Sequence, residues 1–236
     1  MIEIKEISKQ FGKLRVLSNI NLDISKPGIY AVLGPNSSGK TTLIKTLLGM
    51  VIPSAGKVFF DGINISGNFI YRENISYMPQ IARFPENLTG IELISMIQDI
   101  RGEKSDIREL VRLFELEEHL EKKMKDLSGG TKQKINAVLA LMFDTQYLFL
   151  DEPTAGLDPL ALVRFKELVL KLKEEEKTII LTTHVIDLVE DIADNIIFLL
   201  EGKIYFIGAI KTLMDNHKSS SLEKAIATIL DENKHV

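Results

Sequence analysis

The first third of the chain alternates apolar and polar residues in the way that is typical of β-strands. The run 29–33 is wholly apolar, and an Asp-Gly pair at 61–62 marks a turn. The predicted strands lie at 2–7, 16–24, 29–33 and 57–60, and a further one ends near 76–80. This part therefore predicts a β-rich start to the fold.

Between about residues 81 and 144 the pattern becomes helical, because apolar residues recur every three or four positions. Thr89 and Glu92 have the spacing of a capping box and predict a helix that runs to about residue 100. A second helix is predicted over 105–116, with the Ser or Asp at its start as the cap. A third follows the glycine pair at 129–130. We therefore interpret this stretch as a mainly helical insert.

The strand pattern then returns and alternates with helices to the end of the chain. Strands are predicted at 147–150, 178–182, 196–200 and 203–207, and helices at 159–173, 185–193 and from 222 to about 231. Short, wholly apolar strands are typical of a sheet that is buried on both faces. The alternation predicts an α/β fold with a largely parallel sheet and helices on both faces.

Composition narrows the class of protein. The 236 residues include 29 Lys and Arg, 33 Asp and Glu, and no Cys, with a net charge of −4. This balance argues against a protein that coats nucleic acid, and the absence of cysteine excludes disulfides and thiol chemistry. The start of the chain lacks the pattern of a secretory signal, and no apolar run has the length of a membrane span. We expect any role at a membrane to depend on a partner.

The segment between the apolar run 29–33 and the following helix fits the phosphate-binding pattern G-x-x-x-x-G-K-[ST]. It consists of Gly34, Pro35, Asn36, Ser37, Ser38, Gly39, Lys40, Thr41 and Thr42. Glycines let backbone N–H groups turn toward phosphate oxygens, and the helix directs its positive end at them. Lys40 would contact the β- and γ-phosphates, and Thr41 would bind Mg2+. The segment predicts a nucleotide site.

Two carboxylates follow the predicted strand 147–150. A ligand of an α/β sheet lies at the carboxyl ends of the strands, so Asp151 and Glu152 are placed for chemistry. We expect Asp151 to bind Mg2+ through water and Glu152 to polarise the attacking water. Taken alone, the pair is equally a solvated turn after a core strand. The phosphate loop favours the catalytic interpretation.

A second glycine pair precedes a helix at Ser128, Gly129 and Gly130. Such a helix start can cradle an anion, or it can be only a helix with a Ser cap. The order of these motifs with Gln80, Pro153-Thr154, 155–158 and His184 resembles the ATP-binding cassette of ABC transporters over about residues 2–215. The resemblance implies a P-loop NTPase ABC-ATPase fold. It also implies a mostly parallel core sheet, an N-terminal antiparallel β subdomain and a helical insert subdomain.

The resemblance also implies roles for single residues. Gln80 would contact Mg2+ or water and sense the γ-phosphate. His184 would hold the γ-phosphate and orient Glu152 and the water. Asp158, a helix cap before a proline, would also communicate across a dimer, and Phe11 would stack on adenine.

The resemblance further implies a homodimer or heterodimer of cassettes that encloses two ATP molecules. Each ATP would lie between the phosphate loop of one copy and Ser128–Gly130 of the other. The dimer would power separate integral membrane permease subunits from the cytoplasmic face of the membrane. The motifs at 156–159 and 183–185 resemble exporters more than importers. The alternative is a soluble cassette ATPase that acts on ribosomes or DNA, although we expect no nucleic-acid partner.

The resemblance implies one ABC ATPase domain over residues 1–236. Within it, the ATP-binding core consists of residues 1–80 and 145–215, and the helical signature subdomain of residues 81–144. Residues 216–236 form a helical tail that packs on its own domain or makes dimer or regulatory contacts.

Two residues depart from the family pattern. Thr131 stands where the family most often has Gln, which could change coupling or hydrolysis, and Ser37 stands where it often has Gly.

Overall fold

The computed structural model of the protein describes residues 1–233. The strands are β1 (Ile2–Phe11), β2 (Leu14–Ile24), β3 (Gly28–Leu33), β4 (Ala55–Phe60), β5 (Ile63–Asn64), β6 (Ile75–Met78), β7 (Tyr147–Asp151), β8 (Thr178–Thr182), β9 (Asn195–Leu200) and β10 (Lys203–Gly208). The helices are α1 (Lys40–Leu47), α2 (Gly90–Arg101), α3 (Arg108–Leu113), α4 (Gly129–Leu141), α5 (Pro159–Glu174), α6 (Ile186–Ile192), α7 (Ile210–Asn216) and α8 (Leu222–Glu232). Short 3₁₀ helices cover Ile70–Asn74 and Met124–Asp126.

The strands form two sheets. The first is antiparallel, with the order β2-β1-β4-β5, and the second has six strands in the order β10-β9-β3-β8-β7-β6. In the second sheet, five strands are parallel and β10 pairs antiparallel with β9 at one edge. Because α2, α3 and α4 lie between β6 and β7 in sequence, the chain makes a helical excursion there. The predicted α/β fold class is confirmed.

The central strand β3 is wholly apolar, and each of its faces meets a different core. In β3, Ile29, Ala31 and Leu33 pack into a core with helices α2 to α8. Tyr30 and Val32 point the other way, into a core shared with α1 and the antiparallel sheet. Successive side chains of a strand alternate between its faces, so every position must be buried. The apolar pattern thus fixes β3 in the middle of the molecule.

Most predicted elements are present, but α3 is shorter than predicted. It covers Arg108–Leu113 rather than 105–116. The Gln98 amide donates to the carbonyl and hydroxyl oxygens of Ser105, which keeps that residue outside the helix. At the other end, Glu115 has a left-handed backbone with φ of 55° and stops the helix. Tertiary and local polar contacts therefore override the apolar periodicity.

Further comparisons concern a helix cap and two short elements. Thr89 and Glu92 form the predicted capping box of α2, with reciprocal bonds of 3.3 and 2.8 Å. The two-residue β5 was not predicted, because it is too short to show a period. The seven-residue α7 was not predicted either, although Ile210, Leu213 and Met214 have helical spacing. The predicted division into core, helical subdomain and tail stays a prediction, and its residues 234–236 lie outside the described residues.

Within residues 1–233, no helix combines the length and apolarity needed to cross a membrane.

Candidate nucleotide site

The phosphate loop joins β3 to α1 and lies against the end of β9. Two of its glycines are required by close contacts: a Cβ at Gly34 would lie 2.1 Å from the Leu199 carbonyl oxygen, and one at Gly39 would lie 2.9 Å from the Val16 carbonyl oxygen. Both glycines also have positive φ, at 146° and 106°. Ser37 adopts φ of 65°, a conformation that glycine accepts more readily. The backbone of this loop is therefore set by its neighbours.

Lys40 is the first residue of α1 and is buried. Its Nζ donates to the carbonyl oxygens of Gly34 at 2.7 Å and Pro35 at 3.0 Å, so the side chain folds back over the loop. Burial lowers the pKa of the Lys40 ammonium, and the carboxylates of Glu152 and Asp151 oppose that shift. Lys40 thus places a positively charged hydrogen-bond donor between the loop and the two carboxylates.

The carboxylates lie where β7 ends. Asp151 is the last residue of the strand, and Glu152 follows with a left-handed backbone, φ 49°. The Glu152 N–H lies 3.1 Å from both the backbone carbonyl oxygen and the hydroxyl of Thr182. The same hydroxyl donates to Asp151 Oδ1 at 2.5 Å. Sequence reasoning did not identify Thr182, which belongs to a different strand.

His184 lies beyond the end of β8, beside Glu152. Its Nε2 is 3.1 Å from Glu152 Oε1, an ion-pair distance when the imidazole is protonated, but without the alignment of a hydrogen bond. Glu152 Oε1 is consequently buried with no hydrogen-bond partner among residues 1–233. A buried acceptor of this kind needs a partner, and water or a ligand group can supply it. The geometry suits a carboxylate that acts on water.

One cavity of about 350 Å³ joins these groups. Its lining consists of Leu14, Val16, Asn36, Ser37, Ser38, Gly39, Lys40, Thr41, Thr42, Gln80, Asp151, Glu152 and His184. The structure therefore brings together the phosphate loop and four residues that are dispersed between positions 80 and 184. Leu14 and Val16 are additional lining residues that no motif in the sequence indicated.

The cavity fits a nucleoside triphosphate with Mg2+. The Ser38 hydroxyl, like Glu152 Oε1, is buried without a hydrogen-bond partner in the described part of the chain. Thr41, Gln80 and Asp151 offer a hydroxyl, an amide and a carboxylate. Mg2+ is commonly held by one or two carboxylates together with substrate phosphates, so these few oxygen donors suffice. Residues 1–233 contain no cluster of three or more His, Cys, Asp or Glu side chains that could hold a metal by themselves.

Phe11 lies outside the cavity lining. It is half exposed at the end of β1, with Lys9 Nζ 4.7 Å from its ring centroid. Its register partner across the hairpin is Leu14, which does line the cavity and is largely exposed. Stacking of Phe11 on adenine stays a prediction.

The signature residues also lie outside this cavity in the single chain. Ser128 caps α4 by accepting from the Thr131 N–H at 3.2 Å, and the two hydroxyl groups lie 2.8 Å apart. Thr131 is thus engaged in the cap. Gly129 faces open space, whereas a Cβ at Gly130 would lie 2.8 Å from the Gly156 carbonyl oxygen. The role of this segment toward a second ATP stays a prediction.

Asp158 performs the capping role predicted from the sequence. Its Oδ1 accepts from the Ala161 N–H at 2.9 Å, and its Oδ2 lies 2.7 Å from Lys134 Nζ. The hydrogen bond from Lys134, followed by that from the Ala161 backbone, lowers the pKa of Asp158. The ion pair links α4 to the loop before α5, so the signature helix and this loop are joined within one chain.

The fold and the cavity define a P-loop nucleotide-binding protein. A family model described as ABC transporter matches residues 17–155, more than half of the chain. The chain therefore belongs to the ABC transporter family, as one of its ATP-binding cassettes, which are ATPases.

Similar proteins cover most of the chain. The lantibiotic transport ATP-binding protein SrtF of Streptococcus pyogenes is 33% identical over 208 residues, with 86% of this chain and 89% of that protein covered. The bacitracin transport ATP-binding protein BcrA of Enterococcus faecalis is 33% identical over 251 residues, with 100% and 80% covered.

Solved structures agree with this assignment. An ATP-binding subunit of an ABC transporter superposes with a TM-score of 0.91 at 26% identity and covers 98% of this chain and 99% of its own. A dimeric post-hydrolysis cassette bound to ADP and Pi has a TM-score of 0.79 at 25% identity, with 89% and 98% covered.

Proposed function

We propose that this chain hydrolyses ATP as the nucleotide-binding subunit of an exporter, in a dimer of cassettes that drives separate membrane subunits. The observation that carries the proposal is the single cavity that joins the phosphate loop to Gln80, Asp151, Glu152 and His184. The two transport proteins that cover most of this chain support a transport role.

The charged and polar groups of the cavity divide the work in this proposal. Thr41, Gln80 and Asp151 would hold Mg2+, whose positive charge would offset the negative charge of the phosphates. Lys40 would exchange its loop carbonyls for phosphate oxygens, and the N–H groups of the loop would surround them. Glu152 would accept a hydrogen bond from the attacking water at its unpartnered Oε1, and His184 would hold that carboxylate in place.

A second copy of the chain would complete the site. Ser128–Gly130 lie outside the cavity of their own chain, at the N-terminal end of a 13-residue helix with no acidic residue in its first turn. Such a helix end favours an anion. The dimeric form of the similar cassette bound to ADP and Pi supports this arrangement. A single chain would therefore bind ATP but hydrolyse it slowly.

An exposed apolar surface provides the contact with the membrane subunits. We assign to it Met50, Phe69, Ile70, Ile81 and Ile100, each of them 59% exposed or more. Two hydrogen bonds connect the segments of Met50, Phe69–Ile70 and Ile100: Arg72 Nη2 donates to the Gly49 carbonyl oxygen at 3.0 Å, and Arg101 donates to the Glu73 carbonyl oxygen. Clustered apolar side chains mark interaction sites, and Ile81 directly follows Gln80. A change at Gln80 could thus reach the partner.

The division of the chain into subdomains and its location belong to the same proposal. Residues 81–144 would move as the helical signature subdomain against the core of 1–80 and 145–215. The chain would lie at the cytoplasmic face of the membrane through its membrane partner. Export is supported by the resemblance of the motifs at 156–159 and 183–185 to exporter cassettes. The names of the two transport relatives state no direction.

Glu152→Gln tests the catalytic part of the proposal. The variant should bind ATP as the wild type does, hydrolyse it far more slowly, and accumulate as an ATP-bound dimer in size-exclusion chromatography. Glu167→Gln is a matched control, because Glu167 is an exposed carboxylate of α5 outside the cavity. A monomeric Glu152→Gln protein that hydrolyses ATP at the wild-type rate would contradict the proposal.

The transport part needs a separate experiment. Ile70→Glu should abolish recovery of the chain with its membrane subunits from native membranes and leave ATP binding unchanged. Leu170→Glu, at an exposed apolar residue of α5, is the control. Recovery of the wild-type chain with ribosomes or DNA and not with membranes would replace the exporter by the soluble alternative.

A further inference from the structure

Thr182 is a buried polar residue that bonds to both Asp151 and Glu152 but does not line the cavity. It is the last residue of β8, is 1% exposed, and lies beside Asp151 in the parallel register of β7 and β8. The next residue, Thr183, has its hydroxyl engaged elsewhere, since it accepts from the Val185 N–H. Thr182 is therefore the side chain that connects β8 to both acidic residues.

The orientation of the Thr182 hydroxyl follows from its partners. The Glu152 N–H can only donate, so the hydroxyl oxygen accepts there, at 3.1 Å. Its single hydrogen is then directed at Asp151 Oδ1, 2.5 Å away. One side chain thus satisfies a backbone donor and a carboxylate acceptor at once. A buried group with both bonds made has one preferred position.

Each bond has a consequence for the nucleotide site. Asp151 Oδ1 is engaged, and Oδ2 has no hydrogen-bond partner among residues 1–233, so Oδ2 is the oxygen available to a metal or its water. Glu152 has a left-handed backbone, which is costly for a residue with a side chain. The bonds from its N–H to the Thr182 carbonyl oxygen and hydroxyl help to hold this conformation.

We propose that Thr182 is a positioning residue for ATP hydrolysis. Its hydroxyl orients Asp151 toward Mg2+ and holds Glu152 in its left-handed conformation. This inference rests on the proposed function. Removal of a hydrogen-bond partner behind a metal-binding carboxylate typically lowers metal affinity or activity by about 10- to 100-fold. Valine has nearly the shape of threonine, so the hydroxyl can be tested with little change in volume.

The experiment compares the full-length wild type with Thr182→Val, Thr182→Ser and Thr178→Val. Thr178 is the matched control, because it is a buried threonine at the opposite end of the same strand and makes no side-chain bond to an acidic residue within residues 1–233. Three quantities are measured: ATP affinity in EDTA, the affinity of the ATP-bound protein for Mn2+ by electron paramagnetic resonance, and kcat and KM for Mg-ATP.

Thr182→Val should weaken Mn2+ binding and lower kcat, each by about 10- to 100-fold, and leave ATP affinity in EDTA unchanged. Thr182→Ser should restore both, and Thr178→Val should match the wild type. A Thr182→Val protein with wild-type Mn2+ affinity and kcat overturns the proposal. A serine variant as defective as the valine variant also overturns it, since packing of the methyl group would then be responsible.

If the valine variant does not fold, Thr182→Ala takes its place. It removes the hydroxyl without placing a methyl group beside the carboxylate. A defect in Thr182→Ala that is absent from Thr182→Ser then supports the proposal, and equal behaviour of the two variants overturns it. Failure of the proposed function is distinguishable, because it would remove Mg-dependent hydrolysis from the wild type itself. Failure of the present inference would leave wild-type hydrolysis intact and Thr182→Val indistinguishable from it.

Discussion

Gly202 supports the phosphate loop from outside the nucleotide site. It is the second residue of the turn between β9 and β10, and its N–H donates to the Ser38 carbonyl oxygen at 3.1 Å. Its own carbonyl oxygen accepts from the Ser18 N–H at 2.8 Å. A Cβ added at Gly202 would lie 2.4 Å from the Val16 carbonyl oxygen. Gly202→Ala should therefore destabilise the protein and disturb the loop together.

The size of the effect follows from two separate costs. Gly202 has φ of 73°, and a side chain in this left-handed conformation costs about 1–2 kcal/mol. The contact with Val16 is to backbone, which cannot rotate away, so repacking adds about 1–3 kcal/mol. The total loss in the free energy of unfolding should be about 2–5 kcal/mol.

The turn at Asp61-Gly62 provides the control. Its two φ values, 49° and 78°, match those of Glu201 and Gly202 at 48° and 73°, but a Cβ at Gly62 meets nothing within 4 Å. Urea denaturation should give Gly62→Ala only the conformational cost of about 1–2 kcal/mol. Gly202→Ala alone should also weaken ATP binding. Equal destabilisation by the two variants would refute the steric argument.

Two further predictions concern α4 and the loop before α5. Asn136 is buried and donates to the Pro79 carbonyl oxygen at 3.0 Å, so Asn136→Leu should cost about 1–3 kcal/mol in urea denaturation by leaving that oxygen unpaired. An unchanged midpoint would contradict this. Asp158→Ala should cost about 1 kcal/mol at neutral pH through the lost cap. Because the pKa of Asp158 lies below its ordinary 3.8, its contribution is complete above that value and is lost as the pH falls through the folded pKa. A difference from wild type that persists in strong acid would contradict this explanation.

Local pattern predicted most of the elements because their causes are local. The capping box at Thr89 uses bonds within one helical turn, and the buried strand at 178–182 was predicted with the bounds that it has in the structure. The helix predicted at 105–116 was too long because its true start depends on a contact with another element. Gln98, from the preceding helix, binds Ser105, and apolar periodicity does not register such a contact.

The sequence by itself determined the α/β class, the phosphate loop and the residue types for its chemistry, because these depend on short-range spacing and strand-helix alternation. The family resemblance implied that Gln80, Glu152 and His184 act on the same nucleotide, but only the tertiary structure brings them into one cavity with that loop and adds Leu14 and Val16 to its lining. It also placed Thr182 beside the acidic residues. Parallel strands bring the carboxyl ends of distant segments to one edge of a sheet, and their register is set by packing on both faces rather than by any local motif.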